Sequence, residues 1–340
     1  MAERKPRITA HGRVTMQEVA AAAQTSMISV SRTFRGAASV SPALRERIEA
    51  VAAELGYVPD RAASALASAK SMNVAVLIPS ITNMVFPEIL AGIDEVLTAQ
   101  GYQMITATTF YAAAEELRLL RGLLAFRPDG VLLTGIDHLP ETKKLLETTA
   151  CPHVHMMDLS DDPSCYCVGF SQEAAGAAIA QHFMDRGYRK IGFVAAQLDP
   201  RTMARGAGFQ NALLAAGQEA PSTLLVPQPS SIALGGILLN QMLQDHPDTQ
   251  ALFFCNDDLA LGALFECHRR GIKVPEQLAL AGFNDLPASA CAAPALTTIT
   301  TPRYLIGQRA ADLLLNLMTG HKPQATRLDL GFTLNVRGTS

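Results

Sequence analysis

The arrangement of apolar residues changes near residue 70. Beyond it, continuous apolar runs alternate with amphipathic stretches such as FPEILAGIDEVLTAQG and AAEELRLLRGLLAFRP. The apolar runs are NVAVLIPS, YQMITATT, GVLLTGI, HVHMMD, CYCVGF, KIGFVAA, STLLVP, ALFFCN and LALAGFN. Runs without polar alternation predict strands that are buried on both faces of a parallel sheet. About ten strands are too many for one small domain, so the pattern predicts two doubly wound α/β lobes, with ligands bound at the carboxyl ends of the strands.

The first seventy residues show helical periodicity instead. Their helix-start signals are a capping box at Thr15 and Glu18, an N-cap at Ser26, and the pair Ser41-Pro42. The predicted helices span residues 16–23, 27–34 and about 42–55. The second helix would bury Val30 and Phe34. Two short helices joined by a tight turn, with a third that closes the core, are typical of a helix-turn-helix unit, in which the second helix enters the DNA major groove.

Composition and charge narrow the classes of protein to which this chain can belong. The 340 residues, of which 49% are apolar and 17% charged, predict two or three folded units rather than a disordered chain. No apolar run is long enough to span a bilayer, and the N-terminus lacks the apolar segment of a secretory signal. Six cysteines without a CxxC pair favour reduced thiols, so we expect a cytoplasmic protein. Residues 1–70 carry a net charge of +4 and the remainder −7, which favours a DNA-binding head on an acidic body.

Several residue clusters leave open the alternative that the protein is an enzyme, although each supports it only weakly. His153, His155 and Asp158 could bind a metal ion, yet two histidines on one strand face have no fixed third ligand, so we expect ordinary packing. Cys165 and Cys167 share a face in the same way and are expected in the core. The adjacent acids after Asn256 are expected to serve in helix capping. No nucleophile has an evident base, so the sequence predicts neither an enzyme nor a cofactor.

The head resembles that of a known family. The segments VTMQEVAAAAQTSMISVSRTFRG and VSPALRERIEAVAAELGYVPDRAASAL place V-T-x-x-x-V-A, V-S-R and L-G-Y-x-P at the intervals found in the LacI/GalR family of transcriptional repressors. Two positions depart from that pattern. Gln24 replaces the glycine that is usual in the turn, so the turn is either different or mildly strained. Asp60 replaces the usual asparagine.

This resemblance implies roles for particular residues. Met27, Ile28 and Arg32 would face base edges, and Arg32 suits guanine because its fork matches two acceptors on that base. The positions expected to bind phosphates are Ser26, Ser29 and Ser31. A hinge helix would follow, in which Leu66 wedges into the minor groove and Ala63 allows two such helices to pair. Two alternatives stay open, namely that Met27 and Ile28 belong to a three-helix core, and that Leu66 packs on the body.

The body resembles the periplasmic-binding-protein-like core of the same family. The matching segments are IPSITNMVFPEILAGI, VGFSQEAAG, Arg205-x-x-Gly208, FFCNDDLALGAL and ALTTITTP. The resemblance implies a head at 1–59, a hinge at 60–71 and a core at 72–340. The core would consist of an N-lobe at about 72–168 and 300–322 and a C-lobe at about 169–298 and 323–340, with crossings near 169, 299 and 323. The residues expected to line the cleft are Asn83, Phe86, Asp158, Phe170, Arg201, Arg205, Asn256 and Asn284.

The expected ligand is a sugar acid. Arginine binds carboxylates with two hydrogen bonds, and amides bind hydroxyls. Asn284 stands where sugar-binding relatives usually carry aspartate, and a neutral amide there favours an anion. The chain is most similar to repressors of gluconate and ketogluconate use, which implies a homodimer that binds a palindromic operator and responds to gluconate or 2-ketogluconate. The alternatives are a regulator of the same family that responds to a neutral sugar or nucleoside, and a solute-binding protein.

Overall fold

The structure is a computed structural model that describes residues 14–36, 38–59, 70–321 and 323–340. The chain divides into two compact units, residues 1–71 and 72–340, and each contains a hydrophobic core. The hinge positions Ala63 and Leu66 lie outside the described residues. Every helix within the described ranges is too short or too polar to cross a bilayer.

The first unit contains three helices, α1 (Met16–Ala22), α2 (Met27–Phe34) and α3 (Pro42–Leu55). The predicted capping box is confirmed at α1, where the Glu18 amide donates to Thr15 Oγ1 at 3.3 Å and the Thr15 amide donates to Glu18 Oε2 at 2.6 Å. Fully buried Val19, Val30 and Ile48 fill the core between the helices. The helical periodicity therefore placed the elements of the head correctly.

Two details of the head differ from the simplest reading of its sequence. Gln24, in the turn between α1 and α2, has a φ of +51°, so the turn keeps a geometry that glycine adopts without strain. The prediction that α2 buries Phe34 is wrong. Phe34 lies at the last turn of α2, where it is 36% exposed and its ring centroid is 5.5 Å from that of Tyr57.

Two six-stranded sheets form the second unit, and each apolar run proposed as a strand is one. The first sheet contains β1 (Asn73–Ile78), β2 (Gln103–Thr108), β3 (Gly130–Thr134), β4 (His153–Met156), β5 (Cys167–Gly169) and β11 (Arg327–Asp329). Its order is β11-β5-β4-β3-β1-β2, and all paired strands are parallel. The accompanying helices are α4 (Val85–Ala99), α5 (Ala113–Ala125) and α6 (Pro140–Thr149).

The second sheet has the same parallel architecture with one antiparallel edge. It contains β6 (Ile191–Ala196), β7 (Ser222–Val226), β8 (Ala251–Phe254), β9 (Ala279–Asn284), β10 (Thr297–Thr300) and β12 (Thr333–Asn335). The order is β12-β10-β9-β8-β6-β7, and only β12 runs antiparallel to its neighbour. The intervening helices are α7 (Gln172–Asp185), α8 (Pro200–Ala215), α9 (Ile232–Asp245), α10 (Asp257–Arg270) and α11 (Pro287–Cys291).

The chain passes between the two lobes three times, after β5, after β10 and after β11. Helix α12 (Arg303–Met318) follows β10 but packs against β3, β4 and β5 of the first sheet. The third crossing was predicted near residue 323, and this position is wrong. Residues 327–329 still belong to the first sheet because Arg327 pairs with Cys167 and Asp329 with Gly169. A polar strand of three residues gives almost no apolar signal, which explains the error.

Candidate functional site

Helix α2 of the first unit presents its predicted base-reading side chains to solvent. Met27 and Ile28 are 50% and 62% exposed, and Arg32 is exposed as well. The alternative that Met27 and Ile28 belong to the core is therefore wrong. Val30 is the residue of this helix that fills the core. Apolar side chains and a guanidinium on one exposed helix can contact thymine methyl groups and guanine edges in a major groove.

The serines of the same helix form its N-terminal cap. The Ser29 amide donates to Ser26 Oγ at 3.1 Å, and the two hydroxyl oxygens are 3.0 Å apart. The hydrogen bond between the two hydroxyls uses one of their two protons and leaves the other free to donate elsewhere, and the helix N-terminus attracts anions. The N-terminal end of α2 can therefore bind phosphate. Near the other end of α2, Arg45 of α3 donates from Nη1 to the Thr33 carbonyl at 3.1 Å and holds α3 against α2.

A cavity of about 170 Å³ lies within the second unit, at the carboxyl ends of strands from both sheets. Six of the eight predicted ligand residues line it, namely Asn83, Phe86, Arg201, Arg205, Asn256 and Asn284. The lining residues that the sequence did not indicate are Ser80, Thr82, Val85, Tyr111, Met157, Gln197, Asp199, Thr202, Pro229, Ser230 and Asp258. Helices α4, α8 and α10 all begin at this cavity, so their positive dipole ends favour a negatively charged ligand.

Arg205 is the central cation of the cavity. Its Nε donates to Gln172 Oε1 at 2.7 Å and its Nη1 to the Cys255 carbonyl at 2.8 Å. The guanidinium carbon lies 3.9 Å from the centroid of the Phe283 ring, and burial lowers the pKa of the group. Among the described residues Arg205 forms no ion pair, and Asp199, the acid whose charge acts on it, is already paired with Arg201.

Close packing of α7 and α8 holds Arg205 in place. A Cβ atom added to Gly176 of α7 would lie 2.0 Å from the Arg205 carbonyl oxygen, and one added to Gly208 of α8 would lie 2.0 Å from the Glu173 carbonyl oxygen. Only glycine permits this approach of the two backbones. The contact brings Gln172, the first residue of α7, within reach of the Arg205 guanidinium.

Arg201, one helical turn before Arg205, is neutralised by acids. Its Nη2 lies 3.2 Å from Asp199 Oδ1, and its Nη1 lies 3.7 Å from Asp137 Oδ1 of the other lobe. Asp199 also caps α8 by accepting from the Arg201 amide at 3.1 Å and from Thr202 Oγ1 at 3.0 Å. Asp258 is a further acid in the wall, and burial raises its pKa. Arg205 is therefore the cation left for a ligand.

Amide and hydroxyl groups complete the wall. Asn83 donates from Nδ2 to the Tyr111 hydroxyl at 3.0 Å and accepts from the Val85 amide at 3.1 Å. Asn256 caps α10 by accepting from the Leu259 amide at 3.1 Å, and it also donates to Ser230 Oγ at 2.8 Å. These groups can donate to and accept from the hydroxyls of a polyol.

Strained backbone is concentrated in the same wall. Tyr111, Met157, Gln197 and Asn284 have φ values of +58°, +72°, +53° and +111°, in a region that residues other than glycine rarely adopt. Such strain persists only where the surrounding structure enforces it, and it is frequent at binding sites. We therefore interpret these four residues as positioned for a ligand.

Asp158 and Phe170 do not line the cavity, contrary to the prediction. Phe170 is fully buried one layer behind it, with its ring stacked at 6.2 Å on Phe283, the ring beneath Arg205. Asp158 accepts from the Leu159 amide at 3.0 Å, and burial raises its pKa. Asp158 follows β4 and lies against the end of β5, where a Cβ atom on Gly169 would be 2.5 Å from the Asp158 amide nitrogen, whereas Phe170 follows β5 at the first crossing.

The alternative chemistry considered for the other clusters finds no support in the part of the chain that the structure describes. No group of three or more potential ligands there could hold a metal ion. His155 is buried beside His138, at 2.9 Å between Nδ1 and Nε2, and burial lowers its pKa to about 3. Asp257 accepts from the Leu286 amide at 2.7 Å and from Thr298 Oγ1 at 2.6 Å, which makes it a structural link between α10 and β10.

Comparison with known proteins matches a family model to part of each unit. Residues 180–340 match the model of the periplasmic binding protein-like domain, and residues 15–60 match that of bacterial regulatory proteins of the lacI family. The HTH-type transcriptional regulator GntR of Pseudomonas aeruginosa is 48% identical over 327 residues, which cover 96% of this chain and 95% of that protein.

Solved structures show the same likeness. The crystal structure of transcription regulator GntR from Chromobacterium violaceum has a TM-score of 0.77 and 52% identity, and it covers 79% of this chain and 99% of that one. The lac repressor dimer bound to operator and the anti-inducer ONPF has a TM-score of 0.83 and 28% identity, with 96% of this chain and 99% of that chain covered.

Proposed function

The chain belongs to the lacI family of bacterial regulatory proteins, and from this premise we propose that it represses genes of sugar-acid catabolism as a homodimer on a palindromic operator. At the level of the family it is a DNA-binding transcriptional regulator and not an enzyme. Gluconate or 2-ketogluconate is the effector that we propose for its cavity. Binding of the effector changes the affinity for the operator because the two equilibria are coupled.

The proposal of a sugar-acid effector rests on the environment of Arg205. A buried guanidinium that forms no ion pair favours a ligand with a carboxylate group, because the two opposite charges can then pair. Asn284 places a neutral amide in the wall, where a carboxylate would repel an acid. Asn83, Asn256 and Ser230 supply hydrogen bonds for hydroxyl groups. The resemblance to gluconate and ketogluconate repressors supports the same choice.

Titration calorimetry with the full chain tests the effector. Gluconate and 2-ketogluconate are expected to bind, whereas neutral hexoses and nucleosides bind at least about tenfold more weakly because they leave Arg205 without an anion. Inclusion of 6-phosphogluconate shows whether the cavity accepts a second charge. Tighter binding of a neutral hexose than of either acid would favour the alternative, a family member that responds to a neutral sugar.

The operator contacts proposed for the head are phosphate contacts from Ser26, Ser29 and Ser31 and base contacts from Met27, Ile28 and Arg32. Retention on operator DNA that falls steeply with salt concentration is expected from phosphate contacts, and a solute-binding protein would show none. For the hinge we propose that Leu66 enters the minor groove beside Ala63. Leu66→Ala should then weaken specific binding and reduce operator bending, and unchanged bending in a gel-mobility assay would contradict this role.

A further inference from the structure

Arg303, the first residue of α12, contacts both lobes directly behind the cavity. Its Nε and Nη2 donate to the two carboxylate oxygens of Glu88 at 3.1 and 2.9 Å, and Glu88 belongs to α4 of the first lobe. Its Nη1 donates to the backbone carbonyl of Asn284, the last residue of β9 in the second lobe. The Arg303 side chain is only 6% exposed. One buried guanidinium therefore joins a helix of one lobe to a cavity residue of the other.

The Asn284 backbone needs such a partner. Its φ of +111° lies in a region that residues with a side chain rarely adopt. The hydrogen bond from Arg303 fixes the orientation of the Asn284 carbonyl, and with it the direction in which the amide side chain enters the cavity. Two longer contacts, from Arg303 Nη1 to Thr301 Oγ1 at 3.3 Å and from Nη2 to the Asp285 carbonyl at 3.4 Å, fix the guanidinium to the crossing segment and to the residue after Asn284.

On the other side, Arg303 and Glu88 lie on two helices that pack as one body. A Cβ atom on Gly92 of α4 would lie 2.2 Å from the Tyr304 carbonyl oxygen, and one on Gly307 of α12 would lie 2.1 Å from the Ile89 carbonyl oxygen. Backbones this close leave little freedom for the helices to slide. Through Arg303, the Asn284 amide is thus held in position relative to the closely packed helices α4 and α12.

We propose that Arg303 is a positioning residue for the effector, which acts by holding the Asn284 amide in its ligand-binding orientation against the α4–α12 pair. The inference rests on the proposed function, since it takes the cavity as the effector site. Arg303 does not itself line the cavity. The proposal requires that its effect on affinity pass through Asn284 rather than through Glu88 and α4, and that requirement can be measured.

A double-mutant cycle on the full chain tests this role with gluconate as the probe. Arg303→Met removes the three donor groups at similar length, and Asn284→Gly removes the amide side chain while keeping a residue that tolerates the positive φ. Arg309→Met is the matched control, because Arg309 is an exposed residue of the same helix in an ion pair with Asp312. Gluconate affinity is measured by calorimetry, and the thermal midpoint without ligand reports stability.

Arg303→Met is expected to lower gluconate affinity by about tenfold or more, and Arg309→Met to leave it unchanged. The double variant should bind within twofold of Asn284→Gly, because the two changes disable the same contact. Losses that multiply, or normal binding by Arg303→Met, would overturn the inference and leave the proposed function intact. If Arg303→Met does not fold, Glu88→Gln replaces it, with an expected loss of about threefold and the same non-additivity. A wild-type chain that binds no sugar acid would overturn the proposed function and this inference together.

Discussion

Replacement of Arg205 by methionine separates the role of this residue in ligand binding from its role in folding. In the ligand complex, the variant leaves a buried carboxylate without its cation. Loss of one partner of a buried ion pair costs about 3–5 kcal/mol, which corresponds to a fall in affinity of at least about 100-fold. The prediction is therefore a near-complete loss of gluconate binding.

In the free protein the opposing effects nearly balance. Arg205→Met leaves Gln172 Oε1 and the Cys255 carbonyl without their donors, at about 1–3 kcal/mol each. The same change removes a charge whose burial costs several kcal/mol. Methionine can retain the contact with the Phe283 ring. The unfolding free energy without ligand should therefore change by no more than about 2 kcal/mol.

Thermal unfolding with and without gluconate measures both effects on one sample. At 100 times the wild-type dissociation constant, gluconate should stabilise the wild-type chain by about 2.7 kcal/mol and Arg205→Met by about 0.4 kcal/mol or less. Arg205→Lys is the control, because it keeps a charge without the planar fork and should recover only part of the binding. A folded Arg205→Met variant whose gluconate affinity is within threefold of wild type would refute the reasoning.

Three further predictions follow. Asn284→Asp should weaken gluconate binding at least about tenfold and spare neutral hexoses, as calorimetry would show, because it adds a like charge. Arg32→Ala should cost about 1–3 kcal/mol of operator affinity and relax the preference at one guanine, measured by fluorescence anisotropy with base-substituted operators. The free energy of unfolding should fall as pH drops from 6.5 toward 3. Over this range His155 is protonated in the unfolded chain but stays neutral in the folded chain, where its pKa is lowered to about 3. His155→Gln should flatten this slope by up to about 1.4 kcal/mol per pH unit in chemical denaturation.

Much of the fold was predictable because its elements are strongly patterned. Nine of the twelve described strands coincide with apolar runs, and the head helices carry explicit caps such as Thr15 and Ser26. The exceptions are β10, β12 and β11, which are short and rich in polar residues, and β11 alternates polar and apolar side chains. Its place in the first sheet depends on pairing with β5, a contact between distant parts of the chain that local pattern does not encode.

The candidate site was predictable where the chain resembles a known family, because the ligand positions were carried over from matching segments. Asn83 lies in the loop after β1, Asn256 follows β8 and caps α10, and Arg205 stands in a motif with Gly208. Tyr111 and Ser230 reach the cavity from loops, and no spacing in the sequence connects them with it. Arg303 was missed for a different reason, since its partners Glu88 and Asn284 are 215 and 19 residues away along the chain.

The affinity of the full chain for a palindromic promoter fragment, measured by anisotropy with and without gluconate, tests the link between the head and the cavity most directly. We predict binding at least about 10³-fold tighter than to random duplex, falling steeply with salt, and a change of about 5–150-fold when gluconate is added. Equal affinity for operator and random DNA, or an operator affinity that gluconate and related acids leave unchanged, would contradict it.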